Sequence, residues 1–198
     1  MIGAVLCGGN STRMGIDKGL LKVGDLFWAQ ISINNLVRNG ISTLLAVNEN
    51  QFDTYTLHFP HQPILIDKKV DDLKGPVLAL LGIHEHYPME DLFILACDMP
   101  FMKDEIIKEL LTNYTISPTY EAYFFQNDEK AEPLCAIYTA QGLAKILTLY
   151  QNQHLERFSM KYILSLLNTL TLSLNEQQKL AFTNFNTPAD LRACLKFI

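Results

Sequence analysis

The chain opens with an apolar run, Ile2, Ala4, Val5 and Leu6, that stops at Gly8 and Gly9. No other feature constrains the fold as tightly. So short a run ending in two glycines reads as a buried strand, and the missing Cβ atoms let backbone amides approach a ligand closely. Arg13 and Lys18 then place two cations just beyond the glycines, where phosphate oxygens need neutralising. The segment LCGGNSTRMGIDK, from Leu6 to Lys18, is neither the P-loop signature, which needs Ser or Thr after its Lys, nor GxGxxG. Two glycines after a strand also describe an ordinary turn, so the glycines alone leave both readings open.

Further along, strand-like and helix-like runs alternate. Ala29, Ile33, Leu36 and Val37 recur at helical spacing, Asn39 and Gly40 mark a stop, and Thr43 to Val47 reads as a second strand. Pro63 to Ile66 gives a third strand, Val77 to Ile83 an apolar helix, and Leu92 to Ala96 a strand buried on both faces, which implies parallel pairing. Ile106, Ile107, Leu110 and Leu111 form one side of a helix for which Asp104 is the expected N-cap. In the second half, Tyr120 to Phe125 and Pro133 to Tyr138 read as strands joined by a turn at Asn127 and Asp128. Ala140 to Tyr150 and Phe158 to Leu167 read as helices, and Asn186, Thr187 and Pro188 as the start of a final helix. The expected fold class is α/β: three layers around a doubly wound, mostly parallel, Rossmann-like sheet with a mixed C-terminal part. With no repeat, low-complexity tract or linker, residues 1–198 are expected to form a single domain.

A formal net charge of -5 without any long basic run argues against nucleic acid or an anionic membrane as the main partner. The longest apolar runs, such as Pro76 to Ile83, are too short to cross a bilayer, and the chain starts in a strand and not in a charged leader, so a cytoplasmic protein is expected. Cys7, Cys97, Cys135 and Cys194 stand singly, and the first three fall in apolar runs as small buried hydrophobes. His84 and His86 are two apart, which on a helix points them away from each other, so surface positions near a helix end are expected.

Ligands of open α/β sheets bind outside the carboxyl ends of the strands, where Gly8, Asn48, Asp67 and Asp98 all fall. A carboxylate at Asp98, braced by Met99 and Pro100, can hold Mg²⁺ through hard oxygen coordination; an ordinary turn aspartate is the alternative. Asp67 is followed by Lys68, Lys69, Asp71 and Asp72, which also fit a solvated charged loop, and Asn48 also fits a hydrogen-bonded turn.

The spacing of Leu6, Gly8, Gly9, Ser11, Arg13, Met14, Gly15, Asp17 and Lys18 resembles the signature loop LxGGxSxRMGxDK of the molybdenum cofactor guanylyltransferases, within the wider nucleotidyltransferase family. Four further segments are similar to the same family. CDMPF, Cys97 to Phe101, resembles its metal-binding CDxPF; Asp67 before Gly75 and Pro76 resembles its acid before a GP dipeptide; NFNTPADL, Asn184 to Leu191, resembles its NxNTPxDL. EPLCAIY, Glu132 to Tyr138, resembles the strand that lines its acceptor pocket.

The resemblance implies a nucleotidyltransferase fold and transfer of a guanylyl group from GTP to molybdenum-loaded molybdopterin, with release of pyrophosphate. It implies Mg²⁺ as cofactor, with Asp98 as metal ligand, and Arg13, Lys18 and Asp98 as the catalytic set. Leu6, Cys7, Gly8, Gly9, Lys18, Asn48, Asp67, Asp98, Asn184 and Asn186 would contact nucleotide, metal or pterin, with Gly8 and Gly9 as backbone donors. Transient contact with cofactor-delivering or acceptor molybdoenzymes is implied as well. Two departures stand out: Cys7 replaces the family's usual Ala, and few arginines are available to grip a phosphorylated pterin, Arg157 being the main candidate. Related cytidylyltransferases carry Ala at the equivalent of Gly8, which favours GTP over CTP here. The alternatives are a molybdopterin cytidylyltransferase, a sugar-phosphate nucleotidylyltransferase, or a non-catalytic nucleotide-binding protein.

Overall fold

The computed structural model describes residues 1–8, 17–67 and 75–183. Three largely buried runs and one partly buried run supply parallel strands: β1 (Ile2–Leu6), β4 (Ser42–Val47) and β6 (Leu92–Ala96), and β5 (Ile64–Ile66) at the edge. Between β1 and β4 lie two short strands, β2 (Lys22–Val23) and β3 (Leu26–Phe27), and helix α1 (Trp28–Arg38). Helices α2 (Phe52–His58) and α3 (Pro76–His86) precede and follow β5. After β6 come α4 (Asp104–Ile116), β7 (Ala122–Asn127), β8 (Lys130–Tyr138), α5 (Ala140–Gln151), α6 (Met160–Leu166), β9 (Thr169–Ser173) and α7 (Glu176–Lys179).

Among the described residues the main sheet runs β5-β4-β1-β6-β8-β7-β9. β5, β4, β1 and β6 are mutually parallel, β8 lies antiparallel between β6 and β7, and β9 pairs parallel with β7. The mostly parallel sheet and its mixed C-terminal part are therefore as expected. From β1 the chain winds outward through β4 to β5, then returns to place β6 on the other side of β1. That reversal makes a crevice at the carboxyl ends of β1 and β6, where such sheets bind ligands.

Alternation along the strands feeds two cores. Val5 and Cys7 of the β1 line pack with Phe93 and Leu95 against α1, α2 and α4, through Ile33, Leu36, Tyr55, Ile107 and Leu110. Ala4 and Leu6 face the other way with Leu92 and Ile94, against Leu80, Ile83, Leu143, Ile146 and Ile163 of α3, α5 and α6. Helices on both faces bury the central strands completely, which is why they read as unbroken apolar runs.

The stops come from specific residues. Gly40, at φ 76°, ends α1: its N–H donates to Val37 O (2.9 Å) and that of Ile41 to Leu36 O (3.1 Å), a Schellman closure that a left-handed glycine permits. Gly75, at φ 68°, leads into Pro76 at the first position of α3, where the missing N–H costs nothing. Pro133 lacks the N–H a ladder needs, and the β7–β8 register slips beside it, from Phe124↔Ala136 to Phe125↔Glu132.

Two expectations need correction. Asp104 is not the cap of α4. Lys103 precedes the helix, and Asp104, in its first turn, takes the Arg38 guanidinium at 3.0 and 3.1 Å. His84 is not on the surface either: it is buried in α3, its Nδ1 has no hydrogen-bond partner, and burial lowers its pKa. His86 is exposed, its Nδ1 2.8 Å from Gly82 O.

Candidate active site

The sheet register brings the candidate residues to one rim. Leu6 pairs with Ala96, so Cys7 and Gly8 leave β1 beside Cys97 and Asp98, and the Cys97 N–H donates to Leu6 O (3.1 Å). On the other side of β1, Cys7 and Gly8 both donate to Ala46 O, at 2.9 and 3.0 Å, so Asn48 lies next to them. Asp67 continues the same edge, its N–H donating to Val47 O (2.8 Å). Gly8, Asn48, Asp67 and Asp98 thus line the carboxyl ends of four parallel strands.

Lys18 completes this edge. Asp17 caps the 3-10 turn Lys18–Leu20 through its Oδ1, which accepts from Gly19 N (3.0 Å). The turn aims the Lys18 ammonium at Asp98, Nζ to Oδ2 2.9 Å, with both side chains 20% exposed. A cation and a carboxylate therefore meet, half sheltered, at the switch point. Shelter from water strengthens the interaction of each with a phosphate or a metal.

Gly8 sits differently from expectation. Its amide is spent on Ala46 O, so it is not a free phosphate donor. What it contributes is space: a Cβ there would run into the Asp67 carboxylate and lie 3.6 Å from Asn48 N. The Asp67 carboxyl is pushed by burial from 3.8 up to about 7. Its Oδ1 is buried and accepts no hydrogen bond, and the same holds for Asn48 Oδ1. Two buried acceptors without partners on one rim cost free energy unless a ligand supplies donors.

Residues not singled out from the sequence hold this edge in place. Gln51 Nε2 donates to Cys7 O (3.1 Å) and Asp17 Oδ2 (2.5 Å), while its Oε1 accepts from Asn48 N (2.9 Å). Tyr55, fully buried, donates its OH to Asp17 Oδ1 (2.9 Å). Burial first, then Cys7, Cys97 and Asp17, raise the Tyr55 pKa far enough that it remains a neutral donor. Asn48 followed three residues later by Gln51 is a capping-box pattern, the one local signal that could have found Gln51.

The thiols are quiet, as expected: Cys7, Cys97 and Cys135 are free and buried. The neighbouring Cys7 thiol, then burial, hold Cys97 well above its usual pKa. Of the residues expected on the acceptor side, Glu132 lies in β8 with its pKa raised by burial, and the Arg157 guanidinium lies over the Tyr162 ring at 5.9 Å. Gly9, Arg13, Asn184, Asn186, the final helix expected from Thr187 and Pro188, and Cys194 lie outside the described residues.

Among the described residues no cluster of three or more His, Cys, Asp or Glu side chains could hold a metal alone. Asp98 fits a different donor set, in which one protein carboxylate is joined by phosphate oxygens and water, the usual environment of Mg²⁺. Nor is any helix among them long and apolar enough to cross a membrane.

A switch-point crevice that pairs a lysine with a carboxylate and leaves polar acceptors open is the setting of a nucleotidyltransferase, and known proteins agree with that class. The chain belongs to the family of the MobA-like NTP transferase domain, whose pattern matches residues 3–166. It is 29% identical over 196 residues to a probable molybdenum cofactor guanylyltransferase of Carboxydothermus hydrogenoformans, covering 98% of this chain and 94% of that protein. A protein of the same name from Flavobacterium johnsoniae is 27% identical over 191 residues, covering 94% and 92%. The fold is shared with the crystal structure of molybdopterin-guanine dinucleotide biosynthesis protein A from Archaeoglobus fulgidus, at a TM-score of 0.78 and 20% identity over 100% of this chain and 98% of that one.

Proposed function

We propose that this nucleotidyltransferase moves the guanylyl group of GTP to molybdenum-loaded molybdopterin and releases pyrophosphate. The observation that carries the reading is the contact of Lys18 with Asp98 at 2.9 Å, on the rim where Gly8, Asn48 and Asp67 converge. The names of the relatives supply the acceptor and the base.

The chemistry asks little of side chains as acids or nucleophiles. A terminal phosphate on the pterin is already an anion, so catalysis reduces to alignment on the α-phosphorus and neutralisation of charge gathering on pyrophosphate. Lys18 contributes a fixed positive charge for the β and γ oxygens, as Arg13 would from the loop. Mg²⁺ held by Asp98 and the triphosphate would add charge neutralisation for the leaving group. Asn48 and Asp67 orient the nucleoside. A carboxylate beside an amide oxygen offers acceptors to donors on a base edge, and guanine presents N1–H and the N2 amino group together. Cytosine offers its N4 amino group alone, which supports GTP over CTP.

The test is pyrophosphate release with purified protein, Mg²⁺ and molybdenum-loaded molybdopterin. Release with GTP and not CTP is the expected result. Release with CTP alone, or only with a sugar phosphate as acceptor, would replace this reading by one of its rivals, and no release with any pair would leave a nucleotide-binding protein.

A further inference from the structure

We propose that Gln51 is a positioning residue for nucleotidyl transfer: its single carboxamide holds the phosphate-side segment and the nucleoside-side turn in one fixed relation. The inference rests on the reading that Lys18 faces the triphosphate and that Asn48 faces the nucleoside.

A glutamine side chain has two N–H donors and one carbonyl oxygen. At Gln51 both donors are used, on Cys7 O (3.1 Å) and Asp17 Oδ2 (2.5 Å), and the oxygen accepts from Asn48 N (2.9 Å). Two acceptors on one side and one donor on the other leave the amide a single satisfactory orientation. The partners come from three places in the chain: the end of β1, the residue before Lys18, and the turn after β4.

Each contact reaches a group with a role at the rim. Asp17 also accepts from Gly19 N and Tyr55 OH, so it sets the turn that carries Lys18 toward Asp98. Cys7 precedes Gly8, whose missing Cβ admits the Asp67 carboxylate. Gln51's own backbone N–H goes to Asn48 O (3.0 Å), which leaves Asn48 Oδ1 free of local partners. Removing the carboxamide would strip a charge-assisted bond from Asp17 and two bonds from main-chain groups. Lys18 and Asn48 would then be placed independently of each other. Since alignment is most of what this reaction requires, the loss falls on the rate.

The test compares Gln51→Ala with Gln51→Glu, which keeps shape but turns carboxylate oxygens toward Asp17 and Cys7 O. Three measurements are made: melting temperature, amide exchange of peptides carrying Gly8 and Gly19, and GTP-dependent pyrophosphate release at saturating acceptor. Gln51→Ala is expected to lower kcat/KM for GTP about tenfold, and Gln51→Glu about a hundredfold despite its isosteric side chain, the acceptor's KM being unchanged. Both variants should exchange faster at Gly8 and Gly19 and melt below the parent by roughly 2–12 °C, the cost of about 1–3 kcal/mol for the broken bonds, while remaining folded at the assay temperature. Parental kinetics in both variants, or losses that merely follow the melting temperature, would overturn the proposal. If the parent itself releases no pyrophosphate from GTP, the functional reading fails separately. The positioning role is then decided by exchange: faster at Gly8 and Gly19 in Gln51→Ala upholds it, and unchanged exchange refutes it.

Discussion

Replacing Asp67 by Asn should stabilise the unliganded protein while weakening its hold on nucleotide. Burial moves the Asp67 carboxyl from 3.8 up to about 7, so between those values the folded chain binds a proton that the unfolded chain has lost. For such a group stability is greatest below the unfolded pKa, declines as pH rises through the folded one, and is lowest above it. The difference between 3.8 and about 7 corresponds to a ceiling of ~4 kcal/mol in alkaline solution. An asparagine removes that charge but leaves an imperfectly paired amide, which costs about 1–2 kcal/mol and reduces the net gain to about 2–3 kcal/mol near pH 8.5. In a chain of this size that is a rise of roughly 5–10 °C in Tm. Near pH 5 the parental carboxyl is neutral, and the two proteins should differ by less than ~1 kcal/mol. Urea unfolding at both pH values, with GTP titration alongside, measures all of this. A Tm difference that does not change with pH, or parental GTP affinity in Asp67→Asn, would refute the reasoning that a strained carboxylate is kept at this rim for its ligand.

Asp98→Ala is expected to reduce turnover by at least ~1,000-fold while weak GTP binding persists, since charge at the leaving group matters most in the transition state; comparing single-turnover rates with equilibrium binding checks it, and full activity would remove the metal assignment. Gly8→Ala puts a Cβ into the Asp67 carboxylate, so GTP affinity should fall about ten- to hundredfold with the fold retained, and calorimetry with GTP and CTP will show whether base preference shifts with it. Gly19→Ala places a methyl group into the hydroxyl of the fully buried Tyr55 and 3.4 Å from Cys7 Sγ. The Tyr55–Asp17 bond should break at a cost of about 1–3 kcal/mol, read by urea unfolding, and a neutral variant would show that the Lys18 turn does not depend on Tyr55.

The central strands were legible because α3, α5 and α6 on one face and α1, α2 and α4 on the other bury them twice over, which leaves unbroken apolar runs such as Leu92 to Ala96. β9 was not, because its Leu170 and Leu172 continue the leucines of α6 and the change of period falls between them. β2 and β3 are two residues each, and α2 buries only Tyr55, so none has enough length to show a pattern. At the rim, Gly8, Asn48, Asp67 and Asp98 could be placed because each follows a readable strand. Tyr55 and the true use of Gly8 could not, and Gln51 shows only its capping-box spacing from Asn48. Gln51 and Tyr55 act through partners far away in sequence, 44 residues for Gln51 and Cys7, and the Gly8 amide is claimed by a carbonyl on β4. His84 misled for a related reason: a polar residue near a helix end looks exposed unless the packing of that helix is known.

One triphosphate and one metal ion should meet Lys18 and Asp98 at the same rim. Diffraction from crystals grown with GTP and Mn²⁺ measures this most directly, through the anomalous peak of the metal. The predicted result is a peak in coordinating contact with the Asp98 carboxylate, with phosphate oxygens on its other side and the Lys18 ammonium against the β or γ phosphate. A metal and nucleotide bound away from Asp98, such as in the groove lined by Arg38 of α1 and Lys108 and Thr112 of α4, would contradict it.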